Sequence, residues 1–443
     1  MKTSITNRQI IKLAAPISLA LLIPQISFLT NTAFLGRLGE RELGVNGITG
    51  IYYLMLSMIG YGLSSGIQVQ MARRAGEGSK SEIAHLLSNG VMLAAFFSLA
   101  LMFLSLWVAP ILFGLNLHNT GNAYLSIDYI YIRIWGLPFL LVTQLFNAFY
   151  ISIGKSKYLI YGSLAATIVN VLFDYLLIFG KLGFPAMGLA GAAIASIISE
   201  IVFCGTMAGL FYWNKMYRDY PVYRHLTFDV KLSQRSLTIA APLIVQFMFS
   251  IGGWQIFFIF IEHLGTQALA ASQILRSLFG IAGVGVWAFA TTCNAMVSNL
   301  IGQGKQNEVI SLGWKISRLS FLFALLLCGT LFLFPGEFLS LYRDDAVLVA
   351  YAIPSLQIIV LAMLIMSVST VMFNTVVGTG NTLVNLTMEI ACVGCYLVYS
   401  YIVIERMQSP LYLCWGAEFV YWTTLLTGSL IYLKSGRWKG KMI

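Results

Sequence analysis

Long apolar stretches dominate the chain, and short polar segments separate them. A membrane-spanning helix needs about 20 predominantly apolar residues, and each stretch is long enough for one crossing. The pattern therefore predicts an all-α integral membrane protein with twelve transmembrane helices. The stretches are 14–35, 45–72, 86–112, 124–150, 159–180, 188–211, 237–261, 270–298, 310–334, 346–377, 383–404 and 411–433.

The second half of the chain repeats the first at a constant offset, and repeats decide the architecture before other features do. Six stretches fall in each copy, so both copies cross the membrane the same way up. We expect two six-helix lobes related by a pseudo-twofold axis along the membrane normal, as in some secondary transporters. The lobes are predicted at 1–211 and 237–443, with a cytoplasmic linker at 212–236. Matching pairs include Pro16 and Pro242, Leu38 and Leu264, Gly76 and Gly302, and Gly154 and Gly380.

Composition supports an integral membrane protein, and the distribution of charge predicts how it is oriented in the membrane. Charged residues are only 10% of the chain, against about 25% in soluble domains. Most of the 27 lysines and arginines fall in the amino terminus, the carboxyl tail and the loops on their side of the membrane. This bias predicts a multi-pass protein of the cytoplasmic (inner) membrane with both termini in the cytoplasm. The net charge of +10 is thus a topology signal and does not indicate nucleic-acid binding.

The first apolar stretch contains a proline where a helix is not expected to tolerate one. Pro24 lies in mid-helix and removes a backbone hydrogen bond, so we expect it to bend the helix. Pro24, Ser27 and Asn31 share one helical face. This polar stripe either lines a functional cavity or packs against a neighbouring helix.

Asp174 is the leading candidate for chemistry, because an ionisable residue inside the membrane is costly. Asn170 lies four residues earlier on the same helical face. A bundle that joins the first, fifth and sixth spans would also gather Asn31 and Ser196 into an oxygen-rich pocket with one negative charge. Burial favours the protonated carboxyl and a bound cation favours the charged one. Proton and cationic substrate would then compete for Asp174, unless it is a permanently hydrogen-bonded structural acid.

Three further acids fall inside apolar stretches. Glu418 lies at a depth similar to that of Arg276, and the two form either a structural ion pair or a substrate-cation site uncovered when the pair opens. Glu200 and Glu389 have no partner visible in the sequence and rank lower as candidates.

Catalytic and nucleotide-binding patterns are missing from the sequence. There is no Ser/His/Asp or Cys/His constellation, no Walker-type phosphate loop and no Cys/His spacing suited to a structural metal. We therefore expect no enzymatic activity, no cofactor and no metal beyond a possible Na⁺. An H⁺ or Na⁺ gradient is the expected energy source.

Four motifs together resemble the multidrug and toxic compound extrusion (MATE) transporters, in their prokaryotic branch. The motifs are Ala15-Pro16, Thr32–Gly39, Asn170–Asp174 and Gly188–Ser196. With the 6+6 plan, the resemblance covers essentially the whole chain. It implies alternating access from a V-shaped cavity between the lobes. It also implies export of cationic or amphipathic small molecules in exchange for H⁺ or Na⁺.

The resemblance also implies a cation site in the amino-terminal lobe. Asn170 and Asp174 match the family's pair on the fifth helix, Ser196 takes the position of a hydroxyl on the sixth, and Pro24 resembles a helix-bending proline. Asn31 is a departure, because the family usually has aspartate there. A site with one carboxylate should lose more affinity for Na⁺ than for H⁺, so the sequence slightly favours H⁺.

The nearest alternative is a lipid-linked oligosaccharide flippase of the same superfamily. A flippase handles anionic headgroups and should have an arginine-rich cavity, but only Arg133 and Arg276 lie inside predicted helices, apart from Arg318 at the cytoplasmic start of the ninth stretch. A major facilitator would carry an Asp-Arg loop after its second helix, and a membrane enzyme would need a nucleophile. The expected partners are therefore a small-molecule substrate and the lipid bilayer, and we expect a monomer.

Overall fold

The computed structural model describes residues 5–116, 120–340, 342 and 345–440. Over these residues every regular element is a helix and no β-strand is present. The α-helices are α1 (Asn7–Leu38), α2 (Glu40–Glu77), α3 (Lys80–Asn116), α4 (Thr120–Arg133), α5 (Leu137–Ser152), α6 (Lys157–Phe179), α7 (Gly188–Trp213), α8 (Met216–Asp219), α9 (Val230–Glu262), α10 (Thr266–Gly302), α11 (Val309–Leu333), α12 (Pro335–Ser340), α13 (Ala346–Gly378), α14 (Thr382–Ser400), α15 (Leu411–Cys414) and α16 (Ala417–Ser435).

Two irregular helical segments interrupt longer helices. A single 3₁₀ turn, Ile134–Gly136, joins α4 to α5, and a π-helical segment, Tyr401–Arg406, extends α14. Two further 3₁₀ turns, Val222–Arg224 and Gln306–Glu308, lie in connections. Irregular turns of this kind change the direction or the side-chain register of a helix.

Eleven helical segments of the described chain are long and apolar enough to cross a membrane. They correspond to the first eleven predicted stretches, with α4 and α5 forming one segment. The last predicted stretch is also helical, as α15 and the 19-residue α16. This twelfth segment is less apolar because it carries Glu418 and several hydroxyl side chains. The all-helical membrane fold predicted from the sequence is confirmed.

The chain folds into two compact units whose boundaries fall inside helices. The amino-terminal unit is Leu19–Ile244, and the carboxyl-terminal unit is Met1–Ser18 together with Val245–Ile443. The first parts of α1 and α9 thus pack with helices of the other sequence repeat. The division into 1–211, 212–236 and 237–443 stays a prediction about the repeats in the sequence.

Close backbone contacts explain why the first part of α9 belongs to the amino-terminal unit. A Cβ atom at Gly62 of α2 would lie 2.7 Å from the Cα of Ile244, and one at Gly66 would lie 2.7 Å from the Cα of Ala240. Only glycine permits this approach of α2 to α9. In the carboxyl-terminal unit the first part of α1 is held instead by an apolar cluster that includes Ile10, Leu13, Ala14, Phe289 and Cys293.

The amino-terminal unit holds α6 tightly against α7. A Cβ atom at Gly191 would lie 2.6 Å from the carbonyl oxygen of Leu177, and Ala192, Ala193 and Ala195 are fully buried. Small residues let two membrane helices approach closely, as the sequence of α7 predicts. This close packing fixes the position of α6, the helix that carries Asp174.

The carboxyl-terminal unit has an aromatic core. Trp415, at the break between α15 and α16, is fully buried, and its indole ring packs at 5.2 Å from the ring of Phe257. Trp415 also donates a hydrogen bond to the hydroxyl of Ser272, at 3.2 Å. The core therefore anchors α16 to α9 and α10.

Candidate functional site

Asp174 lies on α6 with no exposure to solvent. The amide nitrogen of Asn31, on α1, donates to its carboxylate at 3.3 Å from Oδ2 and 3.5 Å from Oδ1. No Lys, Arg or His in the described part of the chain lies within ion-pair distance of Asp174. A buried carboxylate with only a neutral amide donor is poorly compensated, so it gains strongly from a proton or a cation.

Asn170 lies one helical turn before Asp174 and is also buried. The four-residue spacing places both side chains on one face of α6. The structure thus brings Asn31, Asn170 and Asp174 together within one unit, and their role as a cation site stays a prediction.

Ser196 on α7 is partly buried, and over the described residues no hydrogen bond joins it to Asp174. The neighbouring hydroxyl with a clear partner is that of Ser199, which donates to the carbonyl oxygen of Ala166 at 2.9 Å. The predicted contribution of Ser196 to the site therefore rests on the sequence alone.

Glu200 has a close partner, which corrects the sequence analysis. Its carboxylate forms a bidentate ion pair with Arg133 on α4, with Nη2–Oε1 at 2.6 Å and Nη1–Oε2 at 2.9 Å. The hydroxyl of Tyr53 on α2 donates to the same carboxylate at 3.0 and 3.1 Å. We call these three residues the Arg133 cluster. The pairing was not visible in the sequence because α4 and α7 meet only in the fold.

Arg276 and Glu418 do not form the predicted ion pair in the described structure. Glu418 is buried and accepts hydrogen bonds from Trp422 Nε1 at 2.9 Å and from the Tyr396 hydroxyl at 3.4 Å. The guanidinium carbon of Arg276 lies 4.9 Å from the ring centroid of Trp254. Neutral aromatic donors and a cation–π contact take the place of the ion pair.

Glu389 on α14 is buried and accepts a hydrogen bond from the Tyr421 hydroxyl at 2.6 Å. The ring of Tyr421 packs at 5.9 Å from that of Tyr396, the residue that contacts Glu418. The buried acids Glu389 and Glu418 are therefore linked through the packed rings of Tyr421 and Tyr396. The sequence analysis gave Glu389 no partner, and the structure corrects this.

Helix α1 runs without interruption through Pro24. Nearby, the hydroxyl oxygen of Ser27 is buried and has no hydrogen-bond partner in the described structure. The bend expected at Pro24 stays a prediction.

Four aromatic residues that contact the buried acids were missed by the sequence analysis: Tyr53, Tyr396, Tyr421 and Trp422. Trp422 follows Glu418 by four residues, and this helical spacing could have indicated the contact. The tyrosines lie on other helices, and no sequence signal points to them. No group of three His, Cys, Asp or Glu side chains suited to a metal ion occurs among the described residues.

The fold and these sites define a polytopic, all-helical membrane protein with buried polar centres in both of its units. The MatE family model matches it twice, at residues 16–176 and 242–402, which confirms the sequence repeat. The chain belongs to the MatE family.

Curated relatives and solved structures agree with this assignment. A protein of Thermotoga maritima named "Probable multidrug resistance protein NorM" is 23% identical over 447 residues, covering 99% of this chain and 94% of that protein. A protein of Synechocystis sp. with the same name is 26% identical over 347 residues, covering 76% and 73%.

Solved structures share the fold across nearly the whole chain. A MATE in complex with MaD3S matches with a TM-score of 0.87 and 16% identity, covering 97% of this chain and 96% of that one. An outward-facing multidrug resistance MATE transporter of the MOP superfamily matches with a TM-score of 0.87 and 16% identity, covering 98% and 97%.

Proposed function

We propose that this protein is a secondary active antiporter, which exports cationic or amphipathic small molecules in exchange for H⁺ or Na⁺ by alternating access. The observation that carries the proposal is the solvent-free carboxylate of Asp174, which has no basic residue within ion-pair distance in the described structure. Membership of the MatE family and the names of the NorM relatives support the transport of drugs.

The physical basis is competition for one negative charge. Asp174 can be neutralised by a proton, by a metal cation or by the positive group of a substrate, and burial makes its uncompensated charged form unfavourable. Binding of the coupling ion therefore displaces the cationic substrate, and binding of the substrate displaces the ion. A transporter that changes access only when Asp174 is neutralised exchanges one for the other.

Asn31 favours H⁺ as the coupling ion in this proposal. A carboxylate at that position would give Na⁺ a second charged ligand, whereas an amide offers only a neutral oxygen or an N–H donor. Here the amide nitrogen faces Asp174 at 3.3 Å. Protonation of Asp174 needs no further oxygen ligands, so the loss of one carboxylate affects it less.

The contacts of the two intramembrane arginines argue against the lipid-linked oligosaccharide flippase. Arg133 is engaged by Glu200 on both terminal nitrogens, and Arg276 lies against the rings of Trp254 and Phe258. A site for an anionic headgroup needs arginines that are free to bind it. Arg133 does not meet this requirement.

We further propose that the protein acts as a monomer in the cytoplasmic membrane, with both termini in the cytoplasm. The distribution of lysine and arginine along the chain supports this orientation. The linker at 212–236 would then face the cytoplasm.

The test is efflux of a cationic dye from liposomes that contain the purified protein, under an imposed pH gradient or Na⁺ gradient. We expect efflux driven by one gradient and lost in Asp174→Asn. Asp128→Asn is the matched control, because it removes the same charge from an exposed position of the same unit. Full transport by Asp174→Asn would refute the site, and no efflux under either gradient would refute the antiport of cationic dyes.

A further inference from the structure

The linker between α7 and α9, together with the start of α9, is docked on α3. The Ser88 hydroxyl donates a hydrogen bond to the carbonyl oxygen of His225, and the Asn89 amide donates to the Ser233 hydroxyl at 2.9 Å. The side-chain oxygen of Asn89 accepts a hydrogen bond from the backbone nitrogen of Asp229 at 3.1 Å. These contacts hold the linker in a defined position, so its exposed side chains form a fixed surface.

The linker is basic, and both of its acids are engaged. Residues 212–236 hold five lysines and arginines and two aspartates. The carboxylate of Asp219 pairs with Lys80 Nζ at 2.6 Å, and that of Asp229 accepts a hydrogen bond from the backbone nitrogen of Leu232 at 3.0 Å. In the described chain, no lysine or arginine of the linker lies within ion-pair distance of an acid. These residues, all exposed, are Lys215, Arg218, Arg224, Lys231 and Arg235.

A contact between two segments of the chain concentrates this charge. The Tyr158 hydroxyl, at the start of α6, donates a hydrogen bond to Asn214 Oδ1, directly after α7, at 2.9 Å. Their chain neighbours Lys157 and Lys215 are both exposed. The backbone nitrogen of Arg218 donates to the carbonyl oxygen of Lys215 at 3.1 Å, so a tight turn keeps Arg218 close to Lys215. We call Lys157, Lys215 and Arg218 the basic patch. Three neighbouring positive charges without a paired acid favour the binding of an anion.

Large apolar side chains are exposed in the same part of the chain. Trp213, the last residue of α7, is 87% exposed, and Leu226 and Phe228 of the linker are 66% and 50% exposed. Both helices that the linker joins are candidate membrane spans, so the linker lies at the membrane surface. Tryptophan at the end of a span is typical of the membrane–water interface. Apolar side chains combined with lysine and arginine are typical of segments that lie on an anionic membrane.

We propose that the linker surface, formed by the basic patch with Trp213, Leu226 and Phe228, binds the phosphate headgroup of an anionic phospholipid in the adjoining leaflet. The basic patch binds the phosphate, and the apolar side chains contact the acyl region. A soluble polyanion would leave those apolar side chains in water. The orientation proposed above makes this the cytoplasmic leaflet, which carries anionic lipids. The inference does not depend on antiport.

A lipid site differs from basic residues that only set the orientation of the chain. Lysines and arginines that act only during membrane insertion give the folded protein no preference among lipids. A headgroup site prefers an anionic lipid to a neutral lipid with the same acyl chains. It loses that preference when its cations are removed.

The experiment measures binding of dioleoylphosphatidylglycerol and of dioleoylphosphatidylcholine to the purified full-length protein in a neutral detergent, by native mass spectrometry. We expect the anionic lipid to bind more tightly to the wild type. Lys157→Gln/Lys215→Gln should weaken its binding about fivefold for each charge removed, because each lysine or arginine near an anionic membrane surface contributes about that factor. Binding of the neutral lipid should not change. Equal affinities of the wild type for the two lipids would overturn the inference.

Controls separate the basic patch from the general charge of the protein. Lys434→Gln/Arg437→Gln removes two charges from exposed positions at the end of α16, and an equal loss of the anionic lipid in both double variants would overturn the basic patch as its site. Leu226→Ser/Phe228→Ser should weaken binding of both lipids. Unchanged binding of both would overturn a lipid as the occupant in favour of a soluble polyanion, and so would displacement of phosphatidylglycerol by equimolar inorganic phosphate. All the substituted side chains are exposed, so the variants keep the buried contacts of the fold.

Discussion

The amide nitrogen of Asn31 lies 3.3 Å from Oδ2 of Asp174 and joins α1 to α6 across 143 residues of sequence. The contact places a neutral donor against the carboxylate, at the position where the family usually has a second acid. Two acids at this distance would repel each other unless a cation lay between them. An asparagine at this position avoids that repulsion, and in our proposal it lowers the affinity of the site for a metal cation.

Replacement of Asn31 by aspartate should give the site a second carboxylate and shift ion preference towards Na⁺. We expect Na⁺ to stimulate or inhibit dye efflux at lower concentrations in Asn31→Asp than in the wild type. Asn31→Ser is the control, because it removes the amide without adding charge. An ion dependence that does not move in Asn31→Asp would show that Asn31 lies outside the functional pocket.

Replacement of Gly136 by alanine should separate Arg133 from Glu200. The added methyl group would overlap Glu200 Oε2, and overpacking of this kind costs about 1–3 kcal/mol. We expect a lower melting temperature in detergent. Gly205→Ala, in α7, is the matched control, since nothing lies within 4 Å of a Cβ atom there. Equal melting temperatures for the two variants would contradict the packing described for Gly136.

Replacement of Pro24 by alanine should restore a backbone hydrogen bond in α1 and stiffen the helix. If a bend at Pro24 serves the change of access, turnover should fall more than substrate affinity. Dye efflux rates and dye binding, measured on the same preparation, give the two quantities. Pro110→Ala, in α3, is the control for an intrahelical proline in the same unit. An unchanged turnover would remove Pro24 from the mechanism.

The contribution of His225 to holding the linker should fall at acidic pH. The ring of His225 stacks on that of His85 at 4.7 Å, and the Ser88 hydroxyl donates to the carbonyl oxygen of His225. Burial lowers the pKa of His225, and the charges of His85 and Arg224 lower it further.

The pH dependence follows from that direction. Because the folded linker binds the proton less readily than a free histidine, whose pKa is about 6.5, docking is strongest above that pH. It weakens as the pH falls towards the lower pKa of the folded state. Intrinsic amide exchange slows on acidification, so the expected signal is a fall in the protection factors of the linker amides. His225→Gln should abolish this fall, and a fall that persists would rule out His225 as its cause.

The sequence predicts the fold well because its main signals are local or repeated. Apolar stretches give the helices, the repeat that begins at Pro16 and Pro242 gives the two copies, and the spacing of Asn170 and Asp174 gives one face of α6. The apolar stretches and the residue spacing depend only on nearby residues in the sequence, and the repeat depends only on a constant offset. None of the three requires knowing which helices pack together.

The contacts of the buried charges could not be predicted in the same way. Arg133 pairs with Glu200 across 67 residues, and Tyr53 reaches the same carboxylate across 147. Such pairs depend on the packing of α2, α4 and α7, which hydrophobic periodicity does not determine. The ion pair of Arg276 with Glu418 was predicted only because both residues lie at a similar depth in the membrane. Depth does not indicate which side of its helix each charged side chain occupies.

The most direct measurement is the affinity of the purified protein for tetraphenylphosphonium, with protons and with Na⁺ as competitors. Competition at Asp174 predicts that the dissociation constant of the wild type rises as the pH falls or as Na⁺ is added, according to the coupling ion. Asp174→Asn should bind more weakly and show neither dependence. The same dependence in Asp174→Asn and in the wild type would contradict the account, because the competing ion would then act at another group.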